Sequence, residues 1–170
     1  MPPGESCVTR ALVEQAQPII NALRERDLSV VTAESCTAGL IAAVLSHAPH
    51  AGECLHGGFV VYSKDHKASS LGVDAALLKE KGSVNPEVAL QMAQGALRRS
   101  PASVSMAVTG VLGPGPDEDG NPAGLVYFAA CRAGFAPLSV RQAFAAGNPD
   151  VVRRRAVEQG LQLLLRMASA

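Results

Sequence analysis

The stretch "LSVVTAESCTAGLIAAVL" (28–45) changes character twice. It begins as a short β-branched run, passes through a polar turn, and continues as small and aliphatic residues. An apolar run without polar alternation predicts a strand buried on both faces, here over 28–33. "GLIAAVLSHA" (39–48) predicts a helix packed through alanine and aliphatic side chains. A strand leading directly into a helix is the building unit of a parallel α/β sheet. Between the two lie Glu34, Ser35, Cys36 and Thr37. Such a turn can be a helix cap, an anion cradle, or the seat of a nucleophile.

Outward from this unit the alternation continues. Leu12, Ala16, Ile19, Ile20 and Leu23 recur at helical spacing over 11–25, with Pro18 implying a kink. "GGFVVYS" (57–63) and "SVSMAVTG" (103–110) predict further strands. "NPEVALQMAQGALRR" (85–99) predicts a helix with Pro86 in its tolerant first turn. "AGLVYFAACRAG" (123–134) and "PLSVRQAFA" (137–145) predict two strands joined by a turn at Gly134, and 150–168 a long final helix. The order predicts an α/β fold with a largely parallel sheet, one antiparallel edge, and helices on both faces.

Bulk properties narrow the class. The chain has 170 residues, 48% hydrophobic and 18% charged, enough for one domain with a real core. Lys+Arg and Asp+Glu both number 15, so no basic excess points to nucleic acid. No apolar run approaches the roughly 20 residues of a membrane span. The opening "MPPGESCVTR" lacks the basic-then-apolar pattern of a signal peptide. The four cysteines (Cys7, Cys36, Cys54, Cys131) form no C-x-x-C pair, and the four histidines no H-x-x-x-H pair. The expectation is a cytoplasmic protein with free thiols, no metal and no cofactor.

Three predicted strands end in polar or glycine-rich residues, and parallel strands would bring those ends to one edge, where α/β sheets bind ligands. At the first end, Ser35 or Thr37 can simply cap the next helix. The same geometry offers free N–H groups to a phosphate or an oxyanion and presents Ser35 for attack. Cys36 is a rival nucleophile, or a small buried residue. The second end carries Tyr62, Lys64, His66 and Lys67. Lys64 reads as a solvent-exposed lysine. A desolvated lysine can instead serve as the base a serine nucleophile needs. Tyr62 can join that network or be a core aromatic. The third end, 110–123, holds Gly110, Gly113, Gly115 and Gly120, letting backbone approach a ligand. Its "DEDGN" is not a calcium loop, because Phe128 stands where the distal Glu belongs.

Taken together these segments resemble the CinA C-terminal domain family of competence/damage-inducible proteins. A-E-S-C-T-[GA]-G is matched by Ala33 to Gly39, and G-G-[VF]-V-x-Y-S-x-x-x-K by Gly57 to Lys67. Leu71 to Val73, Val84 to Ala89, Ala107 to Gly115, Gly124 to Tyr127 and the Val152–Arg153 pair follow in order. The resemblance implies a three-layer α/β/α sandwich with a mostly parallel mixed sheet and a C-terminal β-hairpin edge. It also implies hydrolysis of nicotinamide mononucleotide to nicotinic acid mononucleotide and ammonia, without a metal. Ser35 matches the nucleophile, Lys67 the lysine that activates it, and Tyr62 the tyrosine beside it. Thr109 and Arg153 match positions of the active site. With them Thr37, Gly39, Gly110 and Gly113 complete the expected substrate-binding set.

Two departures stand out. Pro149 occupies a place where the family often has Arg, and "PDEDGNPAG" (116–124) lacks the lysine usual in the glycine loop. Both remove positive charge from a site expected to meet a phosphate. The extra N-terminal domain of full-length relatives is expected to be absent. The reading is therefore a single amidohydrolase domain over 1–170, a homo-oligomer whose partner is a small pyridine nucleotide rather than nucleic acid or membrane. The alternatives are a nucleotide-binding module with weakened turnover that acts through protein partners, and a cysteine hydrolase using Cys36.

Overall fold

A computed structural model describes residues 6–170, so the reading of the first residues as no signal peptide falls partly outside the described part. In chain order the elements are α1 (Arg10–Glu25), β1 (Val30–Glu34), α2 (Leu40–Ser46), β2 (Leu55–Val60), α3 (Lys64–Leu71), α4 (Ala75–Lys81), α5 (Pro86–Arg98), β3 (Val104–Gly110), β4 (Leu125–Arg132), β5 (Leu138–Ala143) and α6 (Pro149–Ser169). Helix starts are fixed by side chains that accept orphan N–H groups: Thr9 for α1, Ser63 for α3, Asp74 for α4, Asn85 for α5 and Asn148 for α6. Pro18 sits inside an uninterrupted α1.

The five strands form one sheet in the order β2-β1-β3-β4-β5. β1 pairs in parallel with β2 and β3, while β4 runs antiparallel to both β3 and β5. Four strands therefore point one way, and the β4–β5 hairpin closes one edge. β1 lies inside the sheet between β2 and β3, and all five of its residues are buried, as the unalternating apolar run predicts.

Strand periodicity sends neighbours to opposite faces, and two cores result. Val30, Val104, Met106 and Val108 pack with α1, α2 and α6, through Leu12, Ile19, Ile41, Leu45, Val157 and Leu161. Val31, Ala33, Ala107 and Ala129 pack with α3, α4 and α5, through Leu71, Leu78, Val88 and Met92. Helix, sheet and helix make the three layers.

Two helices have no counterpart in the sequence reading. α3 buries only Lys67 and Leu71, so a lysine occupies one of its two core positions and no apolar period is visible. α4 has only seven residues and ends at Gly82. β2 also ends at Val60, short of the expected 63, because Ser63 Oγ accepts the His66 N–H (3.1 Å) and starts α3.

Candidate active site

Because β1, β2 and β3 are parallel, their carboxyl ends meet. The ladder itself extends into the site: Ser35 N–H donates to Val108 O (3.0 Å), and Val61 N–H to Glu34 O (2.8 Å). Ser35 is thus held on both sides of β1 before its side chain makes any contact. Past the strand, Ala38 (φ 53°) and Gly39 (φ 90°) take left-handed conformations that turn the chain into α2. The alanine carries that conformation at a cost of about 1 kcal/mol; Asp27 (φ 52°) and His50 (φ 67°) share it away from the site.

Glu34 holds this turn together. Its carboxylate is fully buried and accepts four hydrogen bonds: from Thr32 Oγ1 (3.0 Å), Thr37 Oγ1 (2.7 Å), Ile41 N–H (3.0 Å) and Ala42 N–H (2.9 Å). Two of these donors belong to the first turn of α2, where a carboxylate satisfies orphan amides and complements the helix dipole. The sequence reading gave Glu34 no role. Its signal was a carboxylate ending a strand and facing an uncapped helix start.

Alternation carries past β1. Glu34 and Cys36 face the α2 side, where Cys36 joins the core. Ser35 faces α3. There Lys67 Nζ lies 2.9 Å from Ser35 Oγ and donates to the backbone carbonyls of Val61 and Tyr62, each at 3.1 Å. Lys67 is fully buried, and among the described residues no carboxylate pairs with it. Desolvation of the charged form lowers its pKa from 10.5 to about 8, with the nearby Lys64 adding a smaller push in the same direction. Burial acts oppositely on the neighbouring thiol and pushes Cys36 up to about 12. The two candidate nucleophiles thus differ in chemistry: the thiol is kept protonated, while the hydroxyl faces an amine that sheds its proton readily.

A cavity of about 680 Å³ opens over Ser35. It is lined by the ends of all three parallel strands, the start of α3, the glycine loop, and Pro149 and Arg153 of α6. Thr109 lines it and is oriented by donating to Ser83 O (2.8 Å). Gly110 and Gly113 line it as backbone, and the loop's base is closed by paired bonds between Val111 and the Gly124–Leu125 segment. Arg153 Nη1 pairs with Asp150 Oδ1 (2.9 Å), while its buried Nε has no partner. Arg154 and Arg155 are exposed.

Four expectations change. Tyr62 is neither a core aromatic nor, through its phenol, part of the lysine network. Its side chain is 74% exposed at the cavity mouth, and only its carbonyl receives Lys67. Thr37 is buried and spends its hydroxyl on Glu34, and Gly39 supplies the turn; neither lines the cavity. A side chain at 39 would also press on Val60 Cγ2 at 3.2 Å. Lys64 is not a free surface lysine. It is half-buried, lines the cavity, and pairs with Asp119 and Glu118 of the glycine loop. Among the described residues no group of three or more His, Cys, Asp or Glu is gathered as a metal site, and no helix is long and apolar enough to cross a membrane.

Comparison with known proteins accords with this geometry. The nicotinamide-nucleotide amidohydrolase PncC of Escherichia coli K12 is 35% identical over 153 residues, covering 90% of this chain and 92% of its own length. A relative from Caldicellulosiruptor bescii named for competence and damage induction is 45% identical over 120 residues, and the match spans only 29% of that longer protein. The crystal structure of competence/damage inducible protein CihA from Agrobacterium tumefaciens superposes with a TM-score of 0.90 at 36% identity, over 96% of this chain and 99% of that one. The model of the CinA C-terminal domain matches residues 13–168, a span that contains every element from β1 to the cavity-lining turn of α6, and the chain belongs to that family.

Proposed function

We propose that the chain hydrolyses the carboxamide of nicotinamide mononucleotide, releasing ammonia and leaving nicotinic acid mononucleotide, with Ser35 as nucleophile. The observation that carries this reading is the contact of a buried, carboxylate-free Lys67 with Ser35 Oγ at 2.9 Å. A neutral amine has two N–H bonds and one lone pair. The carbonyls of Val61 and Tyr62 take the two N–H bonds, and the remaining direction faces the serine hydroxyl. That is the arrangement of a base rather than of a stabilising ion pair.

In the reaction Lys67 Nζ accepts the Ser35 proton while Oγ bonds to the carboxamide carbon. Of the amides that follow, Ala38 N–H is committed to Ser35 O, whereas those of Cys36, Thr37 and Gly39 take no backbone acceptor among the described residues. Cys36 N–H, beside the cavity, is the first candidate to hold the oxyanion, and one good donor contributes about 3 kcal/mol. Lys67 returns its proton to the departing nitrogen, and ammonia leaves an ester on Ser35. Water then loses a proton to Lys67 and attacks that ester. Collapse restores the serine and releases the carboxylate. Arg153, at the start of α6, meets the phosphate, where helix amides also favour an anion. Tyr62 frames the mouth.

The homologous amidohydrolase of Escherichia coli and the family membership support the reaction class. Ammonia release from nicotinamide mononucleotide by the purified protein tests it, with nicotinamide riboside and the dinucleotide for comparison. Steady release from the mononucleotide is expected. Binding without release would point instead to a nucleotide-binding module.

A further inference from the structure

The inner half of the cavity is used by Ser35 and Lys67. The outer half holds a second charged constellation that the hydrolytic step does not need. Lys64 opens α3 and lies in the cavity wall, with Nζ 2.7 Å from Asp119 Oδ1 and 2.9 Å from Glu118 Oε1. Both acids come from the glycine loop, whose tip is organised by Asp117. Its Oδ1 accepts the N–H groups of Asp119 (3.0 Å) and Asn121 (2.8 Å), and its Oδ2 accepts Asn121 Nδ2 (2.9 Å). Asp119 also lies close over Gly82, where any Cβ would overlap its carboxylate. The tip therefore delivers the two carboxylates to one ammonium as a unit.

This arrangement bears on phosphate recognition. Among the described residues the basic side chains lining the cavity are Lys64 and Arg153, from helices on opposite faces of the sheet. Each already holds an internal anion, Arg153 through Asp150. Two oxygens within 2.9 Å of one ammonium are the contacts a phosphate monoester would make. An incoming dianion must replace them, because leaving them in place sets it against Glu118, Asp119 and the lining Asp65 and Asp117. Glu118 is the one that yields first. Its side chain is 74% exposed and loses little burial by leaving, whereas that of Asp119 is only 26% exposed.

We propose that Lys64 reads the phosphate of the substrate, and that Glu118 and Asp119 occupy this subsite and compete with the phosphate for it, setting how strongly phosphorylated substrates are preferred. The naming of the nucleotide rests on the amidase reading; the phosphate subsite does not.

Calorimetric titration of the full chain with ribose 5-phosphate, and with ribose as control, separates the two. Glu118→Gln combined with Asp119→Asn should tighten ribose 5-phosphate roughly tenfold, the weight of one charged contact. Lys64→Gln should weaken it by a similar factor and abolish the gain when added to the acid variants. In steady-state assays KM for nicotinamide mononucleotide should move in the same directions with kcat held, while nicotinamide riboside stays unchanged. Ribose 5-phosphate affinity indifferent to all three positions, or an equal change for the riboside, would overturn the proposal. Phosphate binding that follows Lys64 in a protein that releases no ammonia would uphold it and sink the amidase reading instead. Ammonia release with Lys64-independent phosphate binding would do the reverse.

Discussion

Lys64 and Lys67 stand three residues apart on α3, the first in the cavity wall and the second buried behind the cavity-lining Ser35, and the chain treats them oppositely. Lys67 is fully buried among two carbonyls and a hydroxyl, and desolvation lowers its pKa to about 8. Lys64 is partly exposed, and the Asp119 and Glu118 carboxylates raise its pKa. Identical side chains acquire opposite pKa shifts because one is desolvated without an anionic partner and the other has two; on the proposed mechanism the first is the proton acceptor. The lesson is that charge at this site is assigned by depth. Acids are kept at the rim and away from the amine, and Glu34, the one buried carboxylate among the described residues, is used up by four donors on the other face of β1.

The sharpest way to break this contrast is to remove Ser35 or Lys67. Ser35→Ala and Lys67→Met should each lower turnover by several orders of magnitude, roughly 10⁴-fold, with the fold retained by circular dichroism. The double variant should be little worse than either single one, since the two act as a unit. Lys64→Gln should leave kcat within a few-fold. Equal losses from Lys64 and Lys67 variants would mean that both merely supply positive charge. Mass spectrometry of a quenched reaction should find the acyl group on Ser35; an adduct on Cys36 would promote the thiol.

Protonation gives the next largest effect. Because Lys67 must be neutral to accept a proton, kcat/KM should fall about tenfold per unit as pH drops below about 8, and level off above it. The same group shapes stability. Between about 8 and 10.5 the unfolded chain holds a proton on this lysine that the folded chain has shed, so stability rises with pH across that window. Below it both states are charged and the cost of the buried charge is constant. Lys67→Met should flatten that rise in denaturant titrations, and an unchanged slope would show that Lys67 does not contribute it.

The smallest effect belongs to Cys36. Its thiol packs in the α2-side core and is held protonated, so Cys36→Ala should leave turnover intact and cost at most about 2 kcal/mol of stability. Thiol alkylation at neutral pH should inactivate slowly or not at all.

These contrasts were unequally legible in the sequence. The β-branched run at 28–33 and the polar turn after it announced a buried strand with a candidate site at its end, because burial on both faces suppresses alternation. That Ser35 and Cys36 face opposite sides follows from the period of two. α3 was invisible for the reason that makes it interesting: Lys67 holds one of its two buried positions, so the helix has no apolar stripe. The pairing of Lys67 with Ser35 joins positions 32 residues apart and rests on local spacing at neither. Glu34 was missed because two of its four partners, the Ile41 and Ala42 amides, are backbone groups, and only the uncapped helix start after the strand pointed to them. The loop acids read as a failed calcium motif; only the folded chain brings them to Lys64.

The account turns on whether the buried amine is neutral near physiological pH. Selective ¹³Cε NMR titration of Lys67, assigned by comparison with Lys67→Met, measures this without any assumption about substrate. A midpoint near 8 is the predicted result. A Lys67 midpoint at the ordinary lysine value would contradict the assignment of this residue as the base that activates Ser35.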